Sequence, residues 1–471
     1  MNMKKILLPL IFTLACVLEA AEPCPGDIVS ARNVILLIAD GTSIEQYTFA
    51  RWFKGEKLSI EKHRCGSVMT YIADSVIADS APAATAFATG CRTADKYIAM
   101  SPPSSGMLRP ELNSPPDKAR KPLQTILEKA ERKGLKTGIV VTCHFTHATP
   151  AAFFSHTLSR EDKLNIARQA VDSGIDVLFG AGTKYLLPRS QGGLLPEGEN
   201  LKNRLKEKGY QFIDKAAELA ELSNKKVWGL FAPDDLLPEI DRLNTRPNNE
   251  PSLAEMTAKA IEILASGEKG FFLMVEGSQI DWACHANDPG CLVHEIIAFD
   301  EAAKIAFDFA EKRNDTLVIA LSDHNTGGFS IGNRTTDKTY SRTGIDRMLD
   351  PVKKMKRSSF FIIKELGREP DPGKIKKLLA EFWGINVDDK TARDLGQAMK
   401  NKTKDPQNVL GEFFSLKYTI FGWTTHGHCG GDVPLAAYGP GAPQGSLDSP
   451  EIGRICAKAL QLDTNEESNS P

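Results

Sequence analysis

The sequence lacks three features that would narrow its function at once: a strong excess of one charge, a membrane-length apolar run beyond its first residues, and an internal repeat. Its 471 residues carry 58 Lys and Arg against 60 Asp and Glu, and this net charge of −2 argues against a dedicated nucleic-acid-binding protein. After the first 20 residues no apolar stretch is long enough to span a bilayer, and no fixed-period repeat is visible. With 41% hydrophobic and 25% charged residues, the composition is typical of a globular protein, and 471 residues are enough for one large α/β domain or two smaller ones.

The N-terminus has the pattern of a secretory signal. Two lysines precede an apolar segment at 6–18, and a small-residue cleavage site follows at Ala20 or Ala21. We therefore expect residues 1–21 to be a signal peptide and the mature protein to be periplasmic or secreted. A lipid anchor at Cys16 is an alternative, because the residues before it partly match a lipobox.

Cysteine is present in a number that fits export but does not fix any pairing. Removal of the signal leaves eight of the nine cysteines, and an even number permits disulfides in an exported chain. Cys284 and Cys291 are the closest pair in the sequence. The cysteines could equally be small buried hydrophobic residues, so both interpretations stay open.

Short apolar, β-branched runs recur along the chain and are separated by segments with helical spacing. The runs occupy residues 33–40, 137–142, 176–180, 271–277, 316–324 and 433–439. Helical spacing marks residues 122–134 and 294–314. Continuous apolar strands that alternate with helices predict an α/β fold, a three-layer sandwich in which helices cover both faces of a central, mostly parallel sheet.

Two regions depart from this alternation. Residues 97–121 are rich in Pro and Ser, which predicts a surface loop. Residues 334–404 contain 18 Lys and Arg against 10 Asp and Glu and predict an inserted region with its own helices. Its charge either steers anionic substrates or belongs to a solvated helical surface. We place this basic insertion at 334–420, within a single domain that spans 22–471.

Acids, histidines and one threonine that could hold metal ions stand at or shortly after the ends of the predicted strands. These residues are Asp40, His147, Thr149, Glu276, Asp323 and His324. In an open parallel sheet, ligands bind just beyond the carboxyl ends of the strands. We therefore expect these side chains to meet at one edge of the sheet.

Three further signals are weak when each is taken alone. Asp281 and His285 stand four residues apart, which would put them on one face of a helix, as a shared metal ion requires. His428 lies in a glycine-rich loop, where the backbone can bring an imidazole close to a metal. Ser80 follows Asp79 at a capped helix start, where N–H groups and partial positive charge would also favour an anion such as phosphate.

Six segments in order resemble the alkaline phosphatase family. They read VILLIADG, ADSAPAATAFATG, THATPAAFFSHTLSR, FFLMVEGSQIDWACH, ALSDH and HCGGDVPLAAYGP. The resemblance covers residues 33–330 and 420–456. It implies a catalytic domain that hydrolyses small phosphate monoesters through a phosphoserine intermediate, at a site with two zinc ions and one magnesium ion, in a protein that is often a homodimer.

The resemblance also implies a role for each matched position. Ser80 would be the nucleophile, and Arg160 would clamp two phosphate oxygens. One zinc ion would be bound by Asp281, His285 and His428. The second zinc ion would be bound by Asp40, Asp323 and His324. The magnesium ion would be bound by Asp40, Thr149 and Glu276. The residues expected beside the metal ions, but not as ligands, are His147 and Trp282.

Some positions depart from the family pattern. Ser80-Ala81-Pro82 is half of the sulfatase pattern, whose usual following arginine is Ala84 here. His147 stands at a position that is Asp in some members and His in others. The assignment of magnesium to the third site therefore depends on the residue at this position. A phosphodiesterase or sulfatase on the same scaffold is thus an alternative. A non-catalytic relative that binds phosphate or metal is a further one.

Overall fold

The structure, a computed structural model, describes residues 30–103, 108, 120–222 and 226–462. The expected signal peptide at 1–21, with Cys16, lies outside the described residues. So does most of the Pro- and Ser-rich segment at 97–121.

A ten-stranded sheet forms the centre of the described chain. Its strands are β1 (Asn33–Ala39), β2 (Arg64–Met69), β3 (Lys136–His144), β4 (Val177–Ala181), β5 (Gln211–Ile213), β6 (Val227–Leu230), β7 (Phe271–Gly277), β8 (Thr316–Leu321), β13 (Val433–Tyr438) and β14 (Gly445–Asp448). Two small antiparallel pairs join β9 (Asn325–Thr326) to β12 (His428–Cys429) and β10 (Ser330–Ile331) to β11 (Phe421–Gly422). The order across the large sheet is β14-β2-β13-β8-β1-β7-β3-β4-β6-β5, and β13 runs antiparallel to both of its neighbours.

Sixteen α-helices occur in the described residues. They are α1 (Ile44–Lys54), α2 (Ser80–Thr89), α3 (Ile126–Lys133), α4 (Ala148–Ala151), α5 (Lys163–Asp172), α6 (Leu201–Glu207), α7 (Glu239–Leu243), α8 (Leu253–Leu264), α9 (Gln279–His285), α10 (Pro289–Arg313), α11 (Ile345–Lys353), α12 (Ser359–Leu366), α13 (Pro372–Trp383), α14 (Asp389–Met399), α15 (Pro406–Tyr418) and α16 (Ser449–Ala459). None of these helices combines the length and the apolar character that crossing a bilayer requires.

Strand β1 illustrates why the apolar runs are continuous. Ile35 and Leu37 pack into an apolar cluster with α1, α8 and α10 on one face of the sheet. Val34 and Leu36 pack into a second cluster with α2, α3, α5 and α16 on the other face. A strand that is covered on both faces needs apolar residues at every position. The predicted α/β sandwich with a mostly parallel central sheet is therefore confirmed.

The chain between β10 and β11 forms the five helices α11 to α15, so the inserted helical region is present. The pairing of β10 with β11 brings the two ends of this region together. Its buried residues, including Leu349, Trp383 and Phe414, join the apolar cluster around α10. The helices thus extend one helical layer of the sandwich. The limits 22–471 and 334–420 remain predictions.

Two sequence expectations change. The described start of the Pro- and Ser-rich segment is not a surface loop, because Ile98 and Met100 are buried and form bridges with Thr157 and Pro122. Cys284 and Cys291 are buried free thiols and are not paired with each other. At these two positions the interpretation as small buried residues is correct.

Candidate metal centre

The order of the strands brings the predicted acids together. Strands β7, β1 and β8 are adjacent and parallel. Asp40 follows β1, Asp323 follows β8, and Glu276 is the penultimate residue of β7. The carboxyl ends of parallel strands lie at the same edge of a sheet, and all three of these carboxylates are fully buried there.

His428 reaches the same edge for a different reason. Because β13 runs opposite to the other strands, the loop that precedes it lies where they end. The short strand β12 then pairs His428 with Thr326, which follows β8 by a few residues. The direction of one strand therefore decides whether the glycine-rich loop can contribute to the site.

The first group of potential ligands consists of Asp281, His285 and His428. Asp281 Oδ2 lies 3.2 Å from His285 Nε2 on helix α9, and Asp281 Oδ1 lies 3.7 Å from His428 Nε2. The Nδ1 atoms of the two histidines donate to backbone carbonyls, those of His426 and, at 2.8 Å, Ala78. Metal-binding histidines usually donate their second ring nitrogen in this way, which leaves Nε2 free for the ion.

The second group consists of Asp40, Asp323 and His324, all of them fully buried. His324 Nε2 lies 3.6 Å from Asp40 Oδ1 and 3.3 Å from Asp323 Oδ2. Both oxygens of Asp40 and Oδ2 of Asp323 have no hydrogen-bond partner. A buried carboxylate without a partner is costly, and a bound cation removes that cost.

The pKa values reflect this crowding of negative charge. Burial, followed by the charge of Asp323, raises the pKa of Asp40 well above its usual range. Burial raises the pKa of Glu276 to about 8. Burial alone would lower the pKa of His285, but Asp281 outweighs it and raises that pKa to about 9. The site is therefore arranged for a positive charge that the protein itself does not supply.

Ser80 is the first residue of α2 and lies beside the second group. Its Oγ is 3.1 Å from His324 Nε2, and the side chain is almost fully buried. Asp79 caps the helix by accepting from the Ala81 N–H at 3.3 Å. A helix N-terminus offers N–H donors and partial positive charge, so an anion next to Ser80 would be favoured.

Arg160 is held in place by two neighbours. Its Nη1 donates to Asp79 Oδ1 at 2.6 Å, and its Nη2 lies 3.1 Å from His147 Nε2. The guanidinium is thus held by Asp79, the residue that directly precedes Ser80. A planar guanidinium can bind two phosphate oxygens at once, and lysine cannot copy that geometry.

A third group forms at the ends of β3 and β7. Thr149 Oγ1, Glu276 Oε1 and His147 Nδ1 are buried and have no hydrogen-bond partner. Cys143, which the sequence analysis missed, joins His147 and Glu276 in this group. Trp282 lies next to it, edge-on to the His147 ring with the centroids 5.8 Å apart.

Thr326 is a second residue that the sequence analysis missed. Its Oγ1 donates to Asp281 Oδ1 at 2.5 Å and lies 3.2 Å from His324 Nδ1. One hydroxyl thus connects the first group with the second. Its position two residues after His324 was the available signal, but a lone threonine does not by itself indicate a role.

Comparisons with known proteins give the family of the chain. The alkaline phosphatase family model matches residues 31–462. Alkaline phosphatase 3 of Bacillus subtilis is 35% identical, with 94% of this chain and 92% of the relative covered. The Thermus thermophilus alkaline phosphatase structure has a TM-score of 0.81 at 27% identity and covers 92% of both chains. A histidine-to-aspartate mutant of TAB5 alkaline phosphatase, solved with Mg bound in its M3 site, has a TM-score of 0.65 at 25% identity and covers 93% of this chain and 100% of that chain. The chain therefore belongs to the alkaline phosphatase family of phosphomonoester hydrolases.

Proposed function

We propose that this enzyme hydrolyses phosphate monoesters through a phosphoserine formed on Ser80, with two zinc ions and a third ion bound around it. The observation that carries the proposal is the convergence of the first two groups of potential ligands on one serine at the edge of the sheet. Ser80 Oγ is 3.1 Å from His324 Nε2, and His324 stacks on His428 with ring centroids 3.7 Å apart. The first two groups thus lie side by side next to the nucleophile.

The donor atoms fit the proposed ions. Imidazole nitrogens and carboxylate oxygens are zinc ligands, and a zinc ion would satisfy the unpartnered oxygens of Asp40 and Asp323. In this assignment one zinc ion is bound by Asp281, His285 and His428. The other zinc ion is bound by Asp40, Asp323 and His324. For the third ion the resemblance gives magnesium, and the oxygens of Asp40, Thr149 and Glu276 suit it.

Ser80, Arg160 and Asp79 each have a defined role in the proposed reaction. Zinc, when bound, would lower the pKa of the Ser80 hydroxyl and stabilise charge on the oxygens that enter and leave phosphorus. Arg160 would hold two oxygens of the phosphoryl group, and Asp79 fixes the position of Arg160. Ser80 Oγ bonds to phosphorus while the ester oxygen leaves as an alcohol. Water then attacks the phosphoserine, releases phosphate and regenerates the serine.

The test is hydrolysis of a chromogenic phosphomonoester at alkaline pH, with and without a chelator. We expect chelation to abolish the activity and zinc to restore it. Ser80→Ala should lose nearly all activity, whereas Ser446→Ala, which changes an exposed serine on β14, should keep it. Radiolabelled phosphate should label the wild type and not Ser80→Ala. Wild-type activity in Ser80→Ala, or activity indifferent to chelation, would contradict the mechanism.

Cleavage of diesters or sulfate esters is the competing assignment. It rests on Ser80-Ala81-Pro82, but Pro82 stands in the first turn of α2, where proline is tolerated in any helix. The fixed Arg160 favours a doubly charged phosphomonoester. Rates on matched mono-, di- and sulfate esters of one chromophore should rank the monoester first.

We also propose export, with the catalytic domain at 22–471 and the helical insertion at 334–420. The N-terminal pattern supports it, and mass spectrometry of the secreted protein should find a chain that begins at Glu22. A lipid-linked Cys16 is the alternative outcome. The family resemblance further suggests a homodimer, which sedimentation would test.

A further inference from the structure

We propose that Cys143 supplies a sulfur ligand to the third metal site, so that this site prefers zinc or cobalt over magnesium. The inference rests on the proposed function and changes only the identity of the third ion and its ligands. It concerns a residue to which the family resemblance gives no role.

The sheet places Cys143 beside a proposed ligand. Val141 of β3 is paired with Glu276 of β7, and Cys143 is two residues further along β3. Val141 and Cys143 belong to the same apolar cluster, on one face of the sheet. Cys143 Sγ accordingly lies 3.7 Å from Glu276 Oε2 and is fully buried.

Three donors converge at this point. Cys143 Sγ, a ring nitrogen of His147 and a carboxylate oxygen of Glu276 all lie within 4.8 Å of one another. Zinc bonds are about 2.3 Å to sulfur and about 2.0–2.2 Å to oxygen, so one ion can reach both Cys143 and Glu276. Arg160 Nη2 donates to His147 Nε2, so neutral His147 carries its proton on Nδ1, and the donors available to the ion without rearrangement are Cys143 Sγ and the Glu276 carboxylate.

A thiol that merely donates a hydrogen bond does not explain the rest of the cluster. Donation from Cys143 would satisfy Glu276 Oε2. Glu276 Oε1 and Thr149 Oγ1 would remain buried without a partner. A single cation bound by these two oxygens satisfies both, and Cys143 is within its reach.

The combination of donors determines which ion is preferred. Magnesium requires oxygen donors in near-ideal octahedral geometry and keeps several water molecules. Thiolate and imidazole select zinc, cobalt and similar ions. With sulfur beside the oxygens of Thr149 and Glu276, the site should discriminate against magnesium.

Cobalt substitution gives a direct readout that does not depend on activity. The full-length protein is stripped of metal and titrated with Co²⁺ while its absorption spectrum is recorded. We expect a sulfur-to-cobalt charge-transfer band in the near ultraviolet that grows with the third equivalent. X-ray absorption of the same sample should show about one sulfur neighbour for every three cobalt ions, at about 2.3 Å, a distance close to that of zinc–sulfur bonds.

Two variants distinguish the effect of Cys143 from that of Cys284, a second buried cysteine. Cys143→Ser should lose the band and should allow excess Mg²⁺ to displace Co²⁺ from the third site. Cys284→Ser should keep the band, because Cys284 Sγ accepts from Gln46 Nε2 at 3.3 Å and lies outside all three groups. Cys284 is a suitable control because it is also buried and lies near Asp281. If Cys143→Ser does not fold, the wild-type spectrum alone still decides.

Two results would overturn the inference and can be told apart. Three bound Co²⁺ ions without a sulfur band, in an enzyme that releases phosphate, would refute the role of Cys143 and leave the proposed function intact. A protein that binds no third ion would refute both the role of Cys143 and the third site of the proposed function. A band lost in Cys284→Ser instead of Cys143→Ser would also refute the inference.

Discussion

Removal of the metal ions should make the folded protein lose stability as the pH rises. Burial, reinforced by the charge of Asp323, raises the pKa of Glu276 from 4.5 to about 8 in the metal-free protein. In the unfolded chain the same carboxyl would titrate near its usual value. The stabilisation is therefore fully present below about pH 4.5 and is lost as the pH rises through about 8. At about 1.4 kcal/mol per pKa unit, the loss from Glu276 alone is about 5 kcal/mol.

This loss is large compared with the net stability of a domain, which is about 5–15 kcal/mol. Urea unfolding of chelator-treated protein between about pH 5 and pH 9 would measure it. The free energy of unfolding should fall across this range, and Glu276→Gln should remove much of the fall. The metal-loaded protein should lack the Glu276 contribution, because a bound cation keeps the carboxylate ionised in the folded state.

Glu295 provides a matched control. Burial raises its pKa to about 8 as well, but it accepts the Glu239 N–H and belongs to none of the potential metal groups. Glu295→Gln should therefore change the pH dependence equally with and without metal. A stability that is independent of pH after chelation, or a slope that Glu276→Gln leaves unchanged, would refute the reasoning.

Three further predictions concern the neighbours of the proposed ligands. Thr326→Val should weaken zinc binding on the order of tenfold to a hundredfold, whereas Thr326→Ser should retain it, because only the hydroxyl bridges Asp281 and His324. Competition with a chelator measures the zinc affinity, and equal affinity in the two variants would contradict this role of the hydroxyl. Gly41→Ala should lower the free energy of unfolding by about 1–3 kcal/mol, since φ of Gly41 is +70° and a Cβ would lie 2.8 Å from Asp281 Oδ1. Thermal melts measure this loss, and an unchanged melting temperature would contradict the expected strain. Arg160→Lys should lower kcat/KM on the order of tenfold or more, because lysine cannot bind two phosphate oxygens in the bidentate geometry of a guanidinium. An unchanged kcat/KM would show that Arg160 does not bind the substrate.

Much of the fold was predictable because each β-strand and helix carries a local pattern. The predicted strand at 271–277 coincides with β7, and the strand at 433–439 with β13 to within one residue. Strands that are buried on both faces must be apolar throughout, so the runs were visible without any knowledge of their neighbours. The helix start at Ser80 was equally local, because Asp79 caps it with its own side chain.

The proposed site was less predictable because it depends on strand order and direction. Nothing local indicates that β13 runs antiparallel, yet this places His428 within 3.7 Å of Asp281. Cys143 lies one residue beyond the predicted strand at 137–142, and nothing marked it as a metal ligand until β3 was paired with β7. The start of the Pro- and Ser-rich segment was misread because composition does not show that Ile98 pairs with Thr157.

The sequence by itself determined the elements and the chemical types of the side chains, since periodicity, caps and donor atoms are properties of short stretches. Only the tertiary structure decided which carboxylates share a space and lose their water. Asp40 carries two unpartnered oxygens because strands from distant parts of the chain close around it. Desolvation depends on those neighbours, so the strongest physical sign of a cation site arises only when the sheet has formed.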